Sequence, residues 1–285
     1  MKKKAVIIIH GRSAKPAPQI LLESCKKSIF EGLDFVDGQE DSYSKLEKKM
    51  NKNEFFIDIV YYADILGYKY EQDLYYKANF KDIMRYPWRE KSIWEILLST
   101  TGDVIELVIP VLKKAGIDFS KYLNDVDKYF NNPKYKQEIF RRIDDKINQY
   151  KHIDEIFIVG HSLGSIVSYQ YLKESIVNAG KDFSKFRLIT MGSPLGLETV
   201  KSKLLYPLDF SNNEISWINF SDPIDPVCCF EPELKGDFKS SIKDIKVVND
   251  YNLDKVDAKN SGIPNHLLYG YLRCPEFGDF IYSII

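Results

Sequence analysis

One serine lies in a local sequence that favours nucleophilic chemistry. In the segment IFIVGHSLGS, residues 156–165, Ser162 stands between Gly160 and Gly164 and follows an apolar run. A serine hydroxyl needs a base to remove its proton and backbone donors to stabilise the oxyanion that forms. A sharp strand-to-helix turn suits both, because glycines let it close and the helix N-terminus presents N–H groups. The pattern predicts a nucleophile at Ser162; the alternative is a tight corner with a capping serine.

A second backbone donor is expected from the loop that follows the predicted strand 4–9. This strand ends in the sequence HGRS, which begins at His10. The glycine at position 11 lets the backbone approach a substrate closely. The best oxyanion donors are the N–H groups of Leu163 and Arg12, with that of Gly11 as a substitute. By itself, His-Gly is equally typical of a plain strand-to-loop turn.

Two aspartates are candidates for the acid that orients the base. Asp222 and Asp225 follow the predicted strand 215–220 in the sequence WINFSDPIDPV, and a proline follows each of them. Proline biases the residue before it toward extended or turn backbone. We favour Asp225, because the chain needs several residues to leave the sheet and turn back. We expect Asp222 to cap the turn.

The base is expected among four histidines, of which only His266 follows Asp225 in the chain. It comes after the last predicted strand, at the start of a short helix, and we predict that it is the general base. We expect His152 at the surface and His161 packed within the turn. The loop 190–197, TMGSPLGL, should fold close beside the nucleophile.

Short apolar runs that alternate with helical patterns must position these residues. Strands are predicted at 4–9, 55–61, 155–159, 186–191, 215–220 and 244–248, and helices at 17–31, 134–150, 163–179 and 266–273. Several strand runs are nearly continuous in Val and Ile, as in strands that are covered on both faces. The alternation predicts a parallel α/β sheet with right-handed crossovers.

One connection is too long for a loop. Between residues 63 and 133 no sheet strand is evident, and an insertion of this size needs structure of its own. Apolar residues at helical spacing within 93–112 predict helices there. We therefore divide the chain into a first core part at 1–62, a helical cap at 63–133 and a second core part at 134–285. The cap should cover the carboxyl edge of the sheet, where open α/β sheets bind ligands. Its aromatic candidates for an acyl pocket are Tyr68, Tyr70, Tyr75, Tyr76, Phe80, Tyr86, Trp88 and Trp94.

The order Ser162, Asp225, His266 resembles that of the α/β-hydrolases, and the GHSLG turn resembles that of their lipases and esterases. In those enzymes a G-S-P loop follows the strand after the turn, and D-P-V carries the acid; both sequences occur here. The matched core covers 1–62 and 150–275. The resemblance implies an α/β-hydrolase fold with a mostly parallel sheet of about six strands, trimmed at the N-terminus and flanked by helices.

The resemblance also implies a serine hydrolase that needs no metal or organic cofactor. Ser162 would attack an acyl carbonyl, His266 would move the proton and Asp225 would hold the histidine tautomer. We expect a small-molecule or lipid-like carboxylic ester with an apolar acyl group. A thioesterase, a peptidase, an acyltransferase or a non-catalytic binding protein on the same scaffold are the alternatives.

Composition argues against several other classes of partner. The 285 residues carry a net charge of −1, so no global charge attracts nucleic acid or an anionic membrane. The apolar run after Lys4 is too short for a signal peptide, and acidic residues interrupt 93–112, so we expect no stable membrane insertion. Four cysteines without metal-site spacing indicate free thiols in a reducing cytoplasm. No particular oligomeric state is favoured.

Overall fold

The protein is described by a computed structural model with side chains. The described residues are 2–36, 41–77, 119–177, 179–180, 182–204, 210, 215–223, 225–228, 231–238, 241–251, 263 and 265–285. The strands are β1 (Lys4–Ile9), β2 (Phe55–Val60), β3 (Glu155–His161), β4 (Phe186–Met191), β5 (Trp217–Ser221) and β6 (Ile242–Lys246). The helices are α1 (Pro18–Asp34), α2 (Ser42–Asn51), α3 (Phe119–Asn131), α4 (Pro133–Gln149), α5 (Leu163–Tyr171), α6 (Glu198–Lys201), α7 (Leu268–Arg273) and α8 (Pro275–Ile284).

The strands form one sheet in the order β2-β1-β3-β4-β5-β6, and every neighbouring pair is parallel. Helices flank the sheet, so the chain has an α/β-hydrolase-like fold and the predicted fold class is confirmed. Every predicted strand is present, and the bounds differ from the predicted ones by at most a few residues. None of the helices in the described part of the chain is long and apolar enough to cross a membrane.

Strand β1 shows why these apolar runs become central strands. Ala5, Ile7 and Ile9 pack into one hydrophobic cluster with side chains of α3 to α6. Val6 and Ile8 pack into a second cluster with α1, α2, α7 and α8. All five side chains are fully buried, because the two helical layers cover both faces of the sheet.

The strand register brings the carboxyl ends of the central strands together. Ile9, the last residue of β1, pairs with Gly160 of β3. His161 of β3 pairs with Met191, and Met191 pairs with Phe220 of β5. The segments that leave β1, β3, β4 and β5 therefore emerge side by side at one edge of the sheet.

The helices differ more from their predictions than the strands do. The helix predicted at 163–179 ends as α5 at Tyr171 and continues as π-helix over Leu172–Val177. Helices α2 and α8 were not predicted. Within the insertion, 63–77 contains turns but no helix, and α3 buries Val126 against the core. The helices predicted within 93–112, and Phe80, Tyr86, Trp88 and Trp94, lie outside the described residues.

Candidate active site

Ser162 sits at the turn between β3 and α5 in a conformation that few residues adopt. Its backbone angles are φ 56° and ψ −127°. Such a conformation costs on the order of 1–3 kcal/mol and persists only where the surroundings hold it. Here the Ser162 N–H donates to the carbonyl of Met191 at 3.0 Å, and its own carbonyl accepts from the N–H of Ser165 at 2.9 Å. The hydroxyl of Ser165 donates to the same carbonyl.

Close backbone approach explains the glycine that follows Ser162 by two residues. A Cβ on Gly164 would lie 2.1 Å from the carbonyl oxygen of Ile9. Only glycine lets α5 start this close to the end of β1. A Cβ on Gly11 would lie 2.8 Å from the Cβ of Ser162, so the loop after β1 passes directly beside the nucleophile.

His266 lies between Ser162 and Asp225 and hydrogen-bonds to both. Its Nε2 accepts from the Ser162 hydroxyl with an Oγ–Nε2 distance of 2.9 Å. Its Nδ1 lies 2.7 Å from Oδ2 of Asp225. Because the carboxylate only accepts, Nδ1 carries the proton and Nε2 is left as the acceptor. The three predicted residues thus form one buried chain of hydrogen bonds, with the donor and acceptor order that proton removal from Ser162 requires.

Asp222, the other candidate acid, faces a different partner. Its Oδ2 accepts from the N–H of Asn249 at 2.7 Å, on the segment that follows β6. Oδ1 of Asp225 accepts from the N–H of Val227 at 2.8 Å, which leaves Oδ2 directed at the imidazole of His266. The structure therefore brings Asp225, and not Asp222, to the histidine.

The residue before His266 has an unusual backbone that turns the histidine toward the sheet. Asn265 has φ 56°, and its side-chain amide donates to the carbonyl of Asn249 at 2.8 Å. Among the described residues, four other than glycine have positive φ, and three of them lie at this site: Ser13, Ser162 and Asn265. Backbone strain of this kind tends to collect at functional sites, where neighbouring contacts hold it.

The expected oxyanion donors belong to the start of α5 and to the loop after β1, and both segments adjoin Ser162. Leu163 is the first residue of α5, whose opening N–H groups have no acceptor within the helix. On the other side, His10 binds the carbonyl of Gly11 through Nδ1 at 2.6 Å and accepts from the Tyr62 N–H through Nε2 at 3.0 Å. Burial lowers the pKa of His10 to about 3, so its neutral ring holds the Gly11–Arg12 peptide in one orientation.

The charged side chains of the loop after β1 hydrogen-bond to groups other than Ser162, although Arg12 and Lys15 also line the cavity beside it. The guanidinium of Arg12 pairs with buried Asp125 at 3.0 Å, and the Tyr68 hydroxyl donates to the same carboxylate. The ammonium of Lys15 donates to the carbonyls of Arg12 and Ala14. Burial, followed by the charge of Arg12, lowers the pKa of Lys15 to about 8. What the loop offers to Ser162 is thus its backbone.

Two other side chains contact the acid and the base, and the motif did not identify either role. His161 lies within the turn, as expected, but it also binds the backbone carbonyl of His266 through Nε2 at 2.7 Å. Tyr271 of α7 donates to Oδ2 of Asp225 at 2.5 Å. The nearest sequence signal for Tyr271 is its position five residues after the predicted base, which by itself indicates no contact.

The loop 190–197 lies beside the turn Gly160–Gly164 between β3 and α5, here called the elbow, as predicted. The hydroxyls of Ser193 and Ser165 are 2.7 Å apart, which ties this loop to the first turn of α5. The N–H of Gly192 donates to the carbonyl of Phe220 at 3.0 Å. The loop thus contacts both the first turn of α5, next to Ser162, and β5, which leads to Asp225.

Two small cavities adjoin above Ser162. One, of about 70 Å³, is lined by Ser162 and His266 together with Gly11, Lys15 and Leu74. The other has a similar volume and a more apolar lining, which includes Pro16, Leu21, Leu74, Leu267 and Leu268. They share Leu74, Leu267 and His161, so they form one groove that runs from the serine toward α1.

The described aromatic residues of the insertion serve other contacts. Tyr75 donates to Glu31, Tyr76 to Asp250, and Tyr70 is largely exposed. Together with Tyr68, none of these four lines either cavity of the groove. In the described part of the chain, the groove is lined by residues from outside that aromatic set, which include Leu21, Leu267 and Tyr269.

Neither a protein-family model nor a curated protein sequence matches the chain. No cluster of His, Cys, Asp or Glu suited to a metal ion occurs among the residues that the structure describes. Cys25, Cys228 and Cys274 are buried, and Cys229 lies outside the described residues. The geometry around Ser162 is therefore the basis for assigning a function.

Proposed function

We propose that the protein is a serine hydrolase of the α/β-hydrolase type that cleaves carboxylic esters with a small apolar acyl group. The observation that carries the proposal is the hydrogen-bonded chain from Ser162 through His266 to Asp225, with separations of 2.9 and 2.7 Å. A strained serine beside a neutral imidazole acceptor and a buried carboxylate is the arrangement that nucleophilic acyl transfer needs.

The reaction begins when Oγ of Ser162 attacks the acyl carbonyl carbon and its proton passes to Nε2 of His266. The imidazolium that forms keeps its Nδ1 proton on Asp225, whose negative charge stabilises it. Collapse of the tetrahedral intermediate breaks the bond to the leaving alcohol, which takes the proton from Nε2. Water then repeats the sequence on the acyl-enzyme and releases the acid.

The negative charge on the tetrahedral oxygen needs two donors near Ser162. The N–H of Leu163 is one, because α5 leaves it without an internal acceptor. The N–H of Arg12 is the second, held by the bond between His10 and the Gly11 carbonyl. Such preorganised donors are worth about 10²–10³ in rate each.

The groove above Ser162 favours a short apolar acyl group. The part next to α1 is lined mainly by apolar side chains, which include Pro16, Leu21 and Leu268, while Lys15 and Glu71 also border it. The two cavities, each of about 70 Å³, together approach the roughly 150 Å³ that can hold a benzene ring. We therefore expect acyl groups of about six carbons or fewer.

A fluorophosphonate probe and an ester series test the proposal. The probe should label the folded protein at Ser162, as located by mass spectrometry of the digested adduct. Hydrolysis of nitrophenyl esters should be fastest at about four to six acyl carbons and should fall for longer chains. Failure of the probe to label would overturn the proposal, and indifference to chain length would overturn the acyl pocket. The same acyl group presented as a thioester and as an anilide distinguishes an esterase from a thioesterase or a peptidase.

A further inference from the structure

Tyr271 makes an unusual contact with the acid of the candidate triad. Its hydroxyl oxygen lies 2.5 Å from Oδ2 of Asp225, the same oxygen that binds Nδ1 of His266 at 2.7 Å. The N–H of Asp222 donates to the Tyr271 hydroxyl oxygen at 3.2 Å. A carboxylate can only accept, so the tyrosine directs its own proton at Asp225.

The carboxylate of Asp225 therefore accepts hydrogen bonds from three donors, which together stabilise its negative charge. Val227 donates to Oδ1 through its N–H, while Tyr271 and His266 both donate to Oδ2. Asp225 and Tyr271 are fully buried, and hydrogen bonds to a charged group are short and strong in such surroundings. Burial, reinforced by Asp225, raises the pKa of Tyr271 well above its ordinary value, so the phenol remains a donor.

We propose that Tyr271 is a positioning residue that holds Oδ2 of Asp225 toward His266 and draws off part of its charge. By doing so it sets the pH at which the imidazole becomes a competent base. This inference rests on the proposed hydrolase function. The hydrogen bond of Tyr271 is to Asp225, so its effect on Ser162 passes through Asp225 and His266.

The other titratable groups near this contact come from several elements. Asp222 and the Cys228 thiol face the tyrosine hydroxyl, and the His161 ring packs against both Tyr271 and His266. Burial, followed by the neighbouring His266, lowers the pKa of His161 well below its ordinary value, so its ring is neutral near neutral pH. Lys15 and Glu71 line the open side of the groove.

The sign of the effect follows from the shared charge. Without the tyrosine hydroxyl, more negative charge stays on Oδ2 of Asp225 and stabilises the imidazolium of His266. The acid limb of the activity profile therefore moves to higher pH. The carboxylate also loses one restraint on its orientation, so the rate on the plateau falls.

The rate of fluorophosphonate labelling, measured from pH 5 to pH 9, tests this without knowledge of the natural substrate. In Tyr271→Phe we expect the acid limb to rise by about one pH unit and the plateau rate to fall about tenfold. Tyr171→Phe is the matched control, since the buried Tyr171 hydroxyl also donates to a carboxylate, that of Asp144 at 2.7 Å. The control should keep the wild-type profile.

A second substitution should move the acid limb in the opposite direction, and its result does not depend on how well Tyr271→Phe folds. Site-specific 3,5-difluorotyrosine at position 271 keeps the ring shape and donates a stronger hydrogen bond. It should move the acid limb to lower pH. A wild-type profile in both substituted proteins, or movement in the same direction, would overturn the role of Tyr271 while leaving the hydrolase intact. A wild-type protein that is not labelled would instead overturn the proposed function itself.

Discussion

The region that holds the proposed nucleophile and the region that supplies the proposed acid and base are built in different ways. At the turn between β3 and α5, Ser162 takes its place from the local sequence, with β3 before it, Gly164 two residues later and α5 after it, and the carbonyl of Met191 accepts its N–H. The acid and base region depends on contacts between distant residues. His266 is 104 residues from Ser162, and Tyr271 is 46 residues from Asp225.

This difference means that the two regions should respond differently to substitution. Removing the serine takes away the reacting atom. Substitutions among the long-range contacts leave the nucleophile in place and change how well it is activated. The first three of the four predictions below test that separation, and the fourth concerns the stability of the loop after β1.

The largest effect is expected at the elbow itself. Ser162→Ala should abolish probe labelling and lower ester hydrolysis by about 10⁴-fold or more, because no other group replaces the attacking oxygen. Ser168→Ala, a control on the same helix whose hydroxyl binds the Gly164 carbonyl, should still be labelled. Both are checked by mass spectrometry and steady-state kinetics. Labelling of Ser162→Ala at another serine would place the nucleophile elsewhere.

The acid and base region is tested by a pair of substitutions three residues apart. Asp225→Asn should lower kcat about 10³–10⁴-fold, because an amide neither fixes the His266 tautomer nor stabilises the imidazolium. Asp222→Asn should lower kcat less than about tenfold, since an amide oxygen can still accept from the Asn249 N–H. Equal losses of kcat in the two variants would contradict the assignment of Asp225, rather than Asp222, as the triad acid.

The oxyanion loop connects the two regions and should give an intermediate loss. In Gly11→Ala the new methyl would lie 2.8 Å from the Ser162 Cβ and 3.0 Å from Nδ1 of His161. The loop must move, so we expect kcat to fall about 100-fold. Gly236→Ala is the control, because its Cβ would meet nothing within 4 Å. A Gly11→Ala enzyme with normal kcat would exclude this loop as an oxyanion donor.

The smallest effect concerns stability and its dependence on pH. Burial lowers the pKa of His10 from its ordinary 6.5 to about 3. Below pH 6.5, His10 is therefore protonated in the unfolded chain but remains neutral in the folded protein until the pH approaches 3. Stability is therefore complete above pH 6.5 and is lost as the pH falls toward 3. Between pH 7 and pH 5 this costs about 2 kcal/mol.

His10→Asn should remove that part of the pH dependence while keeping a donor for the Gly11 carbonyl. Denaturant unfolding at pH 7 and pH 5 measures it: the variant should lose about 2 kcal/mol less than the wild-type protein. His152→Asn, at an exposed position, should behave like the wild-type protein. An unchanged pH dependence in His10→Asn would mean that the buried imidazole already takes up its proton in the folded state.

The strands were predictable from local sequence, and several helices were not. In the run 4–9, four of the six residues are β-branched, as is typical of strands that are covered on both faces. Helix α2 is largely polar, and the three apolar residues that it carries at helical spacing, Tyr43, Leu46 and Met50, form too short a pattern to have been predicted as a helix. Its position against α1 is a tertiary contact, which periodicity does not report.

The sequence by itself determined the strand order along the chain, the elbow around Ser162 and the late position of His266. These follow from local backbone preferences and from the order of residues in the chain. Only the tertiary structure decided between Asp222 and Asp225, and only it brought Tyr271 to the acid. Both depend on where β5 leaves the sheet and how α7 packs against it. The side chains involved are tens of residues apart in the chain, and no local sequence pattern indicates which of them come into contact.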